Sequence, residues 1–191
     1  MSGYDDEIWR GVPEDPGRPP EHLAEFVRSL GPHDRTLDLG CGDGRLSAEL
    51  LCERLVGADV AQVALDRAVG RLPGAELVRV QVDSPLPFED NAFDLILCAE
   101  TIEHVRDLQL LLSEARRVLV PGGTLAVTTP AHGRLTGLAI AARGFERRFD
   151  PLTPHLRFFT RRSLGTLLDE MGFEVVSLVT RAGTLLAVAT R

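Results

Sequence analysis

Apolar residues along this chain change their period in a regular order. Leu23, Phe26, Val27 and Leu30 recur at the spacing of an amphipathic helix over Glu21–Leu30, which Gly31-Pro32 ends. Short apolar runs and helical patterns then alternate. Thr36–Leu39 predicts a strand, Gly44–Cys52 a helix, Arg54–Ala58 a strand and Val63–Arg71 a helix. Glu76–Val80 predicts a strand, Phe93–Cys98 a continuously apolar strand, Leu108–Leu119 an amphipathic helix and Thr124–Thr128 a further strand. This alternation is the pattern of a parallel sheet with helices on both faces, whose strands are apolar on both sides, as Leu95-Ile96-Leu97 is. The tail departs from it. A helix over Thr160–Met171, stopped by Gly172, leads into Phe173–Val179 and Leu185–Ala189, joined through Arg181-Ala182-Gly183. So short a turn requires an antiparallel hairpin, because a parallel return needs a dozen residues or more. Residues 1–20 hold four prolines and no clear period; they are expected to form an N-terminal arm or lid ahead of a single domain over residues 21–191.

Bulk properties set limits on this picture. At 191 residues, with 44% hydrophobic and 26% charged positions, the chain suits one globular enzyme domain. No apolar stretch approaches the roughly 18–20 residues of a membrane span, and the first residues lack the features of a signal peptide, so a cytoplasmic location without a membrane partner is expected. Cys41, Cys52 and Cys98 lack metal-ligand spacing and read as small buried hydrophobes. A net charge of −7 argues against a nucleic-acid partner, since phosphate binding needs a positive surface. The charge is unevenly spread. Arg143, Arg147, Arg148, Arg157, Arg161 and Arg162 meet only Glu146 and Asp150 in the same stretch.

The candidate chemistry begins where the first strand ends. Asp38-Leu39-Gly40-Cys41-Gly42-Asp43-Gly44 follows a strand and precedes an expected helix, the place where a doubly wound sheet binds its ligand. Glycines let the backbone approach a ligand, and a helix start offers free N–H groups. Alone, the pattern also fits a tight turn with no ligand. Asp59, however, ends the second strand in Val56-Gly57-Ala58-Asp59, from where a carboxylate can accept from both ribose hydroxyls. Asp83, in Val82-Asp83-Ser84, follows the third strand. Any one of these acids could be a cap or turn residue. Three of them past successive strands would point into one crevice. A pyrophosphate beside Asp38 and Asp43 would be repelled, whereas a cation would not, and the Gly-x-Gly-x-x-Gly spacing of a dinucleotide site is missing.

Thr36-Leu37-Asp38-Leu39-Gly40-Cys41-Gly42-Asp43-Gly44 resembles the first motif of class I S-adenosylmethionine-dependent methyltransferases. Pro85-Leu86-Pro87-Phe88-Glu89-Asp90-Asn91-Ala92-Phe93-Asp94, Glu103-His104-Val105 and Glu114-Ala115-Arg116-Arg117-Val118-Leu119-Val120-Pro121-Gly122-Gly123 resemble later motifs, in the same order and spacing. The likeness is strongest to the branch that includes ubiquinone-biosynthesis O-methyltransferases and many natural-product methyltransferases. It implies a Rossmann-like, doubly wound α/β sheet of seven strands, mostly parallel with an antiparallel C-terminal hairpin. It also implies S-adenosylmethionine as cofactor and S-adenosylhomocysteine as product. Asp38, Gly40 and Gly42 would line the methionine end, Asp59 would hold the ribose with Val60 beside it, and Asp83 and Ser84 would meet the adenine edge. Ala99 and Glu100 would lie beside the sulfonium.

Methyl transfer to a hydroxyl or ammonium also needs a proton acceptor. His104, in Glu100-Thr101-Ile102-Glu103-His104 after the fourth strand, is the candidate base, with Glu100 as the second catalytic candidate; a capping or packing role for His104 is the alternative. Glu-x-x-Glu-His also resembles the metal-binding motif of ubiquinone O-methyltransferases and of enzymes that methylate small-RNA ends, with His155 as a distant partner. The reading adopted assigns no metal and keeps Glu100, Glu103, His104 and His155 as an alternative set for Mn, Zn or Mg. Residues 130–160 are expected to form the acceptor side. There Leu135–Ala142, Phe145, Phe149, Phe158 and Phe159 would roof an apolar pocket or fill the core. The arginines suit a carboxylate- or phosphate-bearing acceptor, or simply a solvated surface. Tyr4 and Trp9, the chain's one Tyr and one Trp, either fold over the cofactor as a lid or belong to a disordered arm. The expected activity is methyl transfer to O, N or C of a small, anionic or aromatic molecule by a monomer or homodimer. Methylation of RNA or of a protein side chain, and a non-catalytic partner subunit, stand as alternatives.

Overall fold

The computed structural model describes residues 2–133 and 155–191. Its elements are α1 (Ser2–Gly11), α2 (Glu21–Ser29), β1 (Pro32–Leu39), β2 (Leu51–Asp59), α3 (Gln62–Arg71), β3 (Glu76–Arg79), β4 (Phe93–Ala99), α4 (Leu108–Val118), β5 (Leu119–Pro130), α5 (Arg161–Glu170), β6 (Glu174–Arg181) and β7 (Thr184–Thr190). The strands form one seven-stranded sheet in the order β3-β2-β1-β4-β5-β7-β6. β1 to β5 pair in parallel, while β7 runs antiparallel to both β5 and β6. The expected hairpin therefore closes the sheet, with β7 inside and β6 at the edge.

The unbroken apolar run of β4 is explained by its two covered faces. Leu95, Leu97 and Ala99 pack with Leu23, Phe26 and Val27 of α2, while Ile96 and Cys98 pack with Leu108, Leu112, Ala115 and Val118 of α4. Side chains alternate across a strand, so one run feeds two cores. Asp107 caps α4 by accepting from Leu110 N at 2.9 Å, and Thr160 with Ser163 forms a capping box on α5. Cys41 and Cys98 are buried and Cys52 is partly so. Among the described residues no helix is long and apolar enough to cross a membrane.

Two expectations change. The helix predicted over Gly44–Cys52 is reduced to turns and a single 3-10 turn at Ser47–Glu49, because β2 already begins at Leu51, paired with Pro32. The crossover must return along the eight residues of β1, about 26 Å of strand, and only residues 45–50 lie between the glycine turn and β2. An α-helix rises about 1.5 Å per residue and is too compact for that span. The arm, in turn, is not without period throughout. Its first half is α1, with Asp5 in the first turn and Arg10 in the last to match the helix dipole, and its four prolines all follow that helix. Leu135–Ala142, Phe145, Phe149, Arg143, Arg147 and Arg148 lie outside the described residues.

Candidate active site

Between β1 and β4 the strand order reverses direction, and the crevice at their C-terminal ends is where open α/β sheets bind ligands. The glycine turn sits there. Gly40 N and Cys41 N donate to Ala58 O at 2.8 and 3.1 Å, locking the turn to the end of β2. Gly40 has φ +84°, and a Cβ there would come within 2.3 Å of Thr101 Oγ1, so only glycine lets the turn lie against the segment after β4.

Two of the three acids flank this turn. Asp38, 2% exposed, accepts from Ser47 Oγ at 2.5 Å. Burial pushes its carboxyl up to about 7, against the hydrogen bond from Ser47, and the charge of Asp59 adds to the rise. Asp59 is also buried and accepts from Gly42 N at 2.9 Å and Ala61 N at 2.8 Å; burial raises its pKa in spite of both bonds. Val60 follows at the surface of the turn, and its carbonyl accepts from Arg79 Nε at 3.2 Å. Asp83 differs from the other two. It is exposed, at φ +53°, and pairs with Arg106 Nε at 3.3 Å, while Ser84 Oγ donates to Val82 O at 3.4 Å. Its partner comes from the loop after β4, so this ion pair joins the loops beyond two strands at the same sheet edge.

Past β4, Ala99 is buried and Glu100 adopts φ +49°. Its N–H donates to Thr128 O at 3.0 Å, and Thr128 Oγ1 donates to Glu100 Oε1 at 2.8 Å. Burial pushes the Glu100 carboxyl up to about 7, and nearby Glu103 pushes the same way; Thr128, His22 and His104 oppose. Glu103, 1% exposed, accepts from Thr129 Oγ1 at 3.0 Å, and its burial likewise raises it to about 7. His104 Nε2 lies 3.9 Å from Glu103 Oε1, and its ring is 4.8 Å from that of His155. Glu103, His104 and His155 offer ligand atoms that all lie within 4.8 Å of one another. One carboxylate and two imidazoles form a donor set suited to Mn or Zn. Glu100, the fourth member of the motif, stands outside this trio.

The backbone carbonyl of Glu103 accepts from Leu156 N at 2.8 Å and Arg157 N at 3.2 Å, which brings the segment with His155 to the site. The Arg157 guanidinium donates to the carbonyls of Val105 and Arg106, so it clamps the loop after β4 instead of facing a ligand. Arg161 and Arg162 line a surface groove along β6 with Gly165 and Val175. Phe159 is buried in the core, whereas Phe158 is exposed and meets His132 edge-on. His22, Thr128 and Thr129 had no signal in the sequence, because only the pairing of β5 with β4 and the packing of α2 on the sheet make them neighbours of the segment after β4.

The methyltransferase domain model matches residues 37–127. The chain is 31% identical to a ubiquinone biosynthesis O-methyltransferase of Bartonella tribocorum, over 78% of this chain and 68% of the relative. It is 33% identical to a malonyl-acyl-carrier-protein O-methyltransferase of Methylococcus capsulatus, over 84% of this chain, and spans 60% of the length of that relative. A SAM-dependent methyltransferase from Aquifex aeolicus shares the fold, with TM-score 0.68 at 19% identity over 90% of this chain and 93% of that one. Motif order, sheet topology and relatives agree, and the chain belongs to the class I S-adenosylmethionine-dependent methyltransferase family.

Proposed function

We propose that the chain transfers the methyl group of S-adenosylmethionine to O, N or C of a small molecule and releases S-adenosylhomocysteine. The observation that carries this reading is the pair of buried carboxylates, Asp38 and Asp59, on either side of the glycine turn. Both are held above their ordinary pKa by burial, so a cationic ligand that restores their charge gains where a phosphate would be repelled. When bound, S-adenosylmethionine supplies an electrophilic methyl group on a sulfonium. Asp38, Gly40 and Gly42 receive its methionine end, Asp59 and Val60 its ribose, Asp83 and Ser84 its adenine edge. Ala99 and Glu100 border the reacting centre, where positioning in line supplies much of the rate. His104 accepts the acceptor's proton, and Glu100, held near neutrality, is the second proton acceptor. Glu103, His104 and His155 would hold a divalent ion if one is used, which would supply a Lewis acid for an acceptor oxygen.

Calorimetry with S-adenosylmethionine, then release of S-adenosylhomocysteine across phenols, amines, carboxylates and RNA ends, tests the reading. Asp59→Ala should weaken cofactor binding by about 10- to 100-fold, corresponding to one or two lost charged hydrogen bonds. It also frees Gly42 N and Ala61 N, so a lower Tm accompanies the loss. Unchanged affinity refutes the ribose assignment. Full turnover after chelation is expected, and activity that returns only with added Mn or Zn would replace the His104 base with a metal site.

A further inference from the structure

The arm ahead of α2 lies directly on the cofactor cleft, held largely by polar contacts. Asp6 Oδ1 accepts from Val63 N at 3.1 Å, so an acid of α1 occupies the first turn of α3, and its Oδ2 stands 3.6 Å from Arg79. Arg67 and Arg71, four residues apart on one face of α3, bind the chain that follows α1. Arg67 Nη1 donates to Val12 O at 3.1 Å, and Arg71 Nη2 to Glu14 O at 3.4 Å. Arg71 Nη1 also reaches the glycine turn, at 3.0 Å from Asp43 O and 2.9 Å from the Asp43 carboxylate. One guanidinium thus ties the arm to the glycine turn. Trp9 completes the contact: a Cβ built on Gly42 would lie 2.8 Å from the indole ring, and the Arg67 guanidinium sits 5.9 Å from the ring centre.

We propose that α1 is the lid of the cofactor cleft and that Trp9 is a cofactor-contacting residue, its indole forming the wall beside Gly42. The inference rests on the cofactor reading above. From Gly3 to Gly11 no side chain is fully buried, so α1 is held by a few polar contacts and belongs to the low-stability end of the fold, from which mobile lids are drawn. Docked, the indole excludes water from the glycine turn and strengthens the attraction of Asp38 and Asp59 for a cation. Released, it opens a path for exchange of product and cofactor.

Because Trp9 is the chain's one tryptophan, its fluorescence reports on this contact without labelling. Titration with S-adenosylhomocysteine should change Trp9 emission saturably, with the Kd found by calorimetry, and lower acrylamide quenching of Trp9 several-fold. Trp9→Ala and Arg67→Ala should each raise that Kd about tenfold, mainly through faster release. Calorimetric binding with unchanged emission and an undiminished affinity of Trp9→Ala overturns the lid and leaves the cofactor reading intact. So does increased quenching in the complex, which would mean that the ring is expelled. No heat from the unsubstituted chain overturns the cofactor reading, and the lid with it.

Discussion

Asp38 lies beneath the glycine turn as a buried carboxyl whose proton leaves only near neutral pH. In the unfolded chain it titrates at about 4. Between about pH 4 and 7 the folded chain therefore keeps a proton that the unfolded chain has released, so stability falls as pH rises through that window. Glu100 and Glu103 act with the same sign. Relative to the unsubstituted chain, Asp38→Asn should lose part of the Tm decrease between about pH 4 and 7; parallel Tm curves would contradict the burial argument. Cofactor affinity should rise over the same window, because the ionised carboxylate is the form a cation favours. The glycines and acids were legible as residues, since Gly at positive φ and Asp past a strand follow from local geometry. Their ionisation was not legible, because it depends on which side chains bury them.

At the scale of elements, the sequence pattern placed most helices and strands within a few residues, and the hairpin turn was read from its brevity. It failed at Gly44–Cys52, where the pairing of β2 with β1 overrode helical periodicity, and at α1, which fully buries no side chain from Gly3 to Gly11 and so lacks the core-facing apolar stripe that marks α2. The family motifs that carry no obvious chemistry prove to be structural. Arg117 binds Glu114 and Asp90 at 2.7 Å each and the carbonyls of Leu86 and Phe88, pinning the loop from Pro85 to Asp90 beneath α4. The capping box on α5 gives a direct test of local signals. Thr160→Ala should cost about 1 kcal/mol in urea unfolding, and a neutral result would show that α5 is held by Leu164 and Leu168 alone.

For the whole molecule, the sheet is the device that assembles the site. β4 stands between β1 and β5, so residues after β4 meet the glycine turn on one side and Thr128 on the other. Leu97, fully buried on the α2 side of β4, should cost about 2–5 kcal/mol as Leu97→Ala in denaturant unfolding. A loss below 1 kcal/mol would mean that α2 does not seal that face. The sequence by itself determined the kind and order of the elements from α2 onward except the first crossover, together with the glycine turn and the closing hairpin, because these follow from period and turn chemistry within a few residues. Only the tertiary structure decided how short the first crossover is, that α1 rests on Gly42, and that His22, Thr128 and His155 gather around Glu100 and Glu103. Those contacts join residues far apart in the chain, and no local pattern records them.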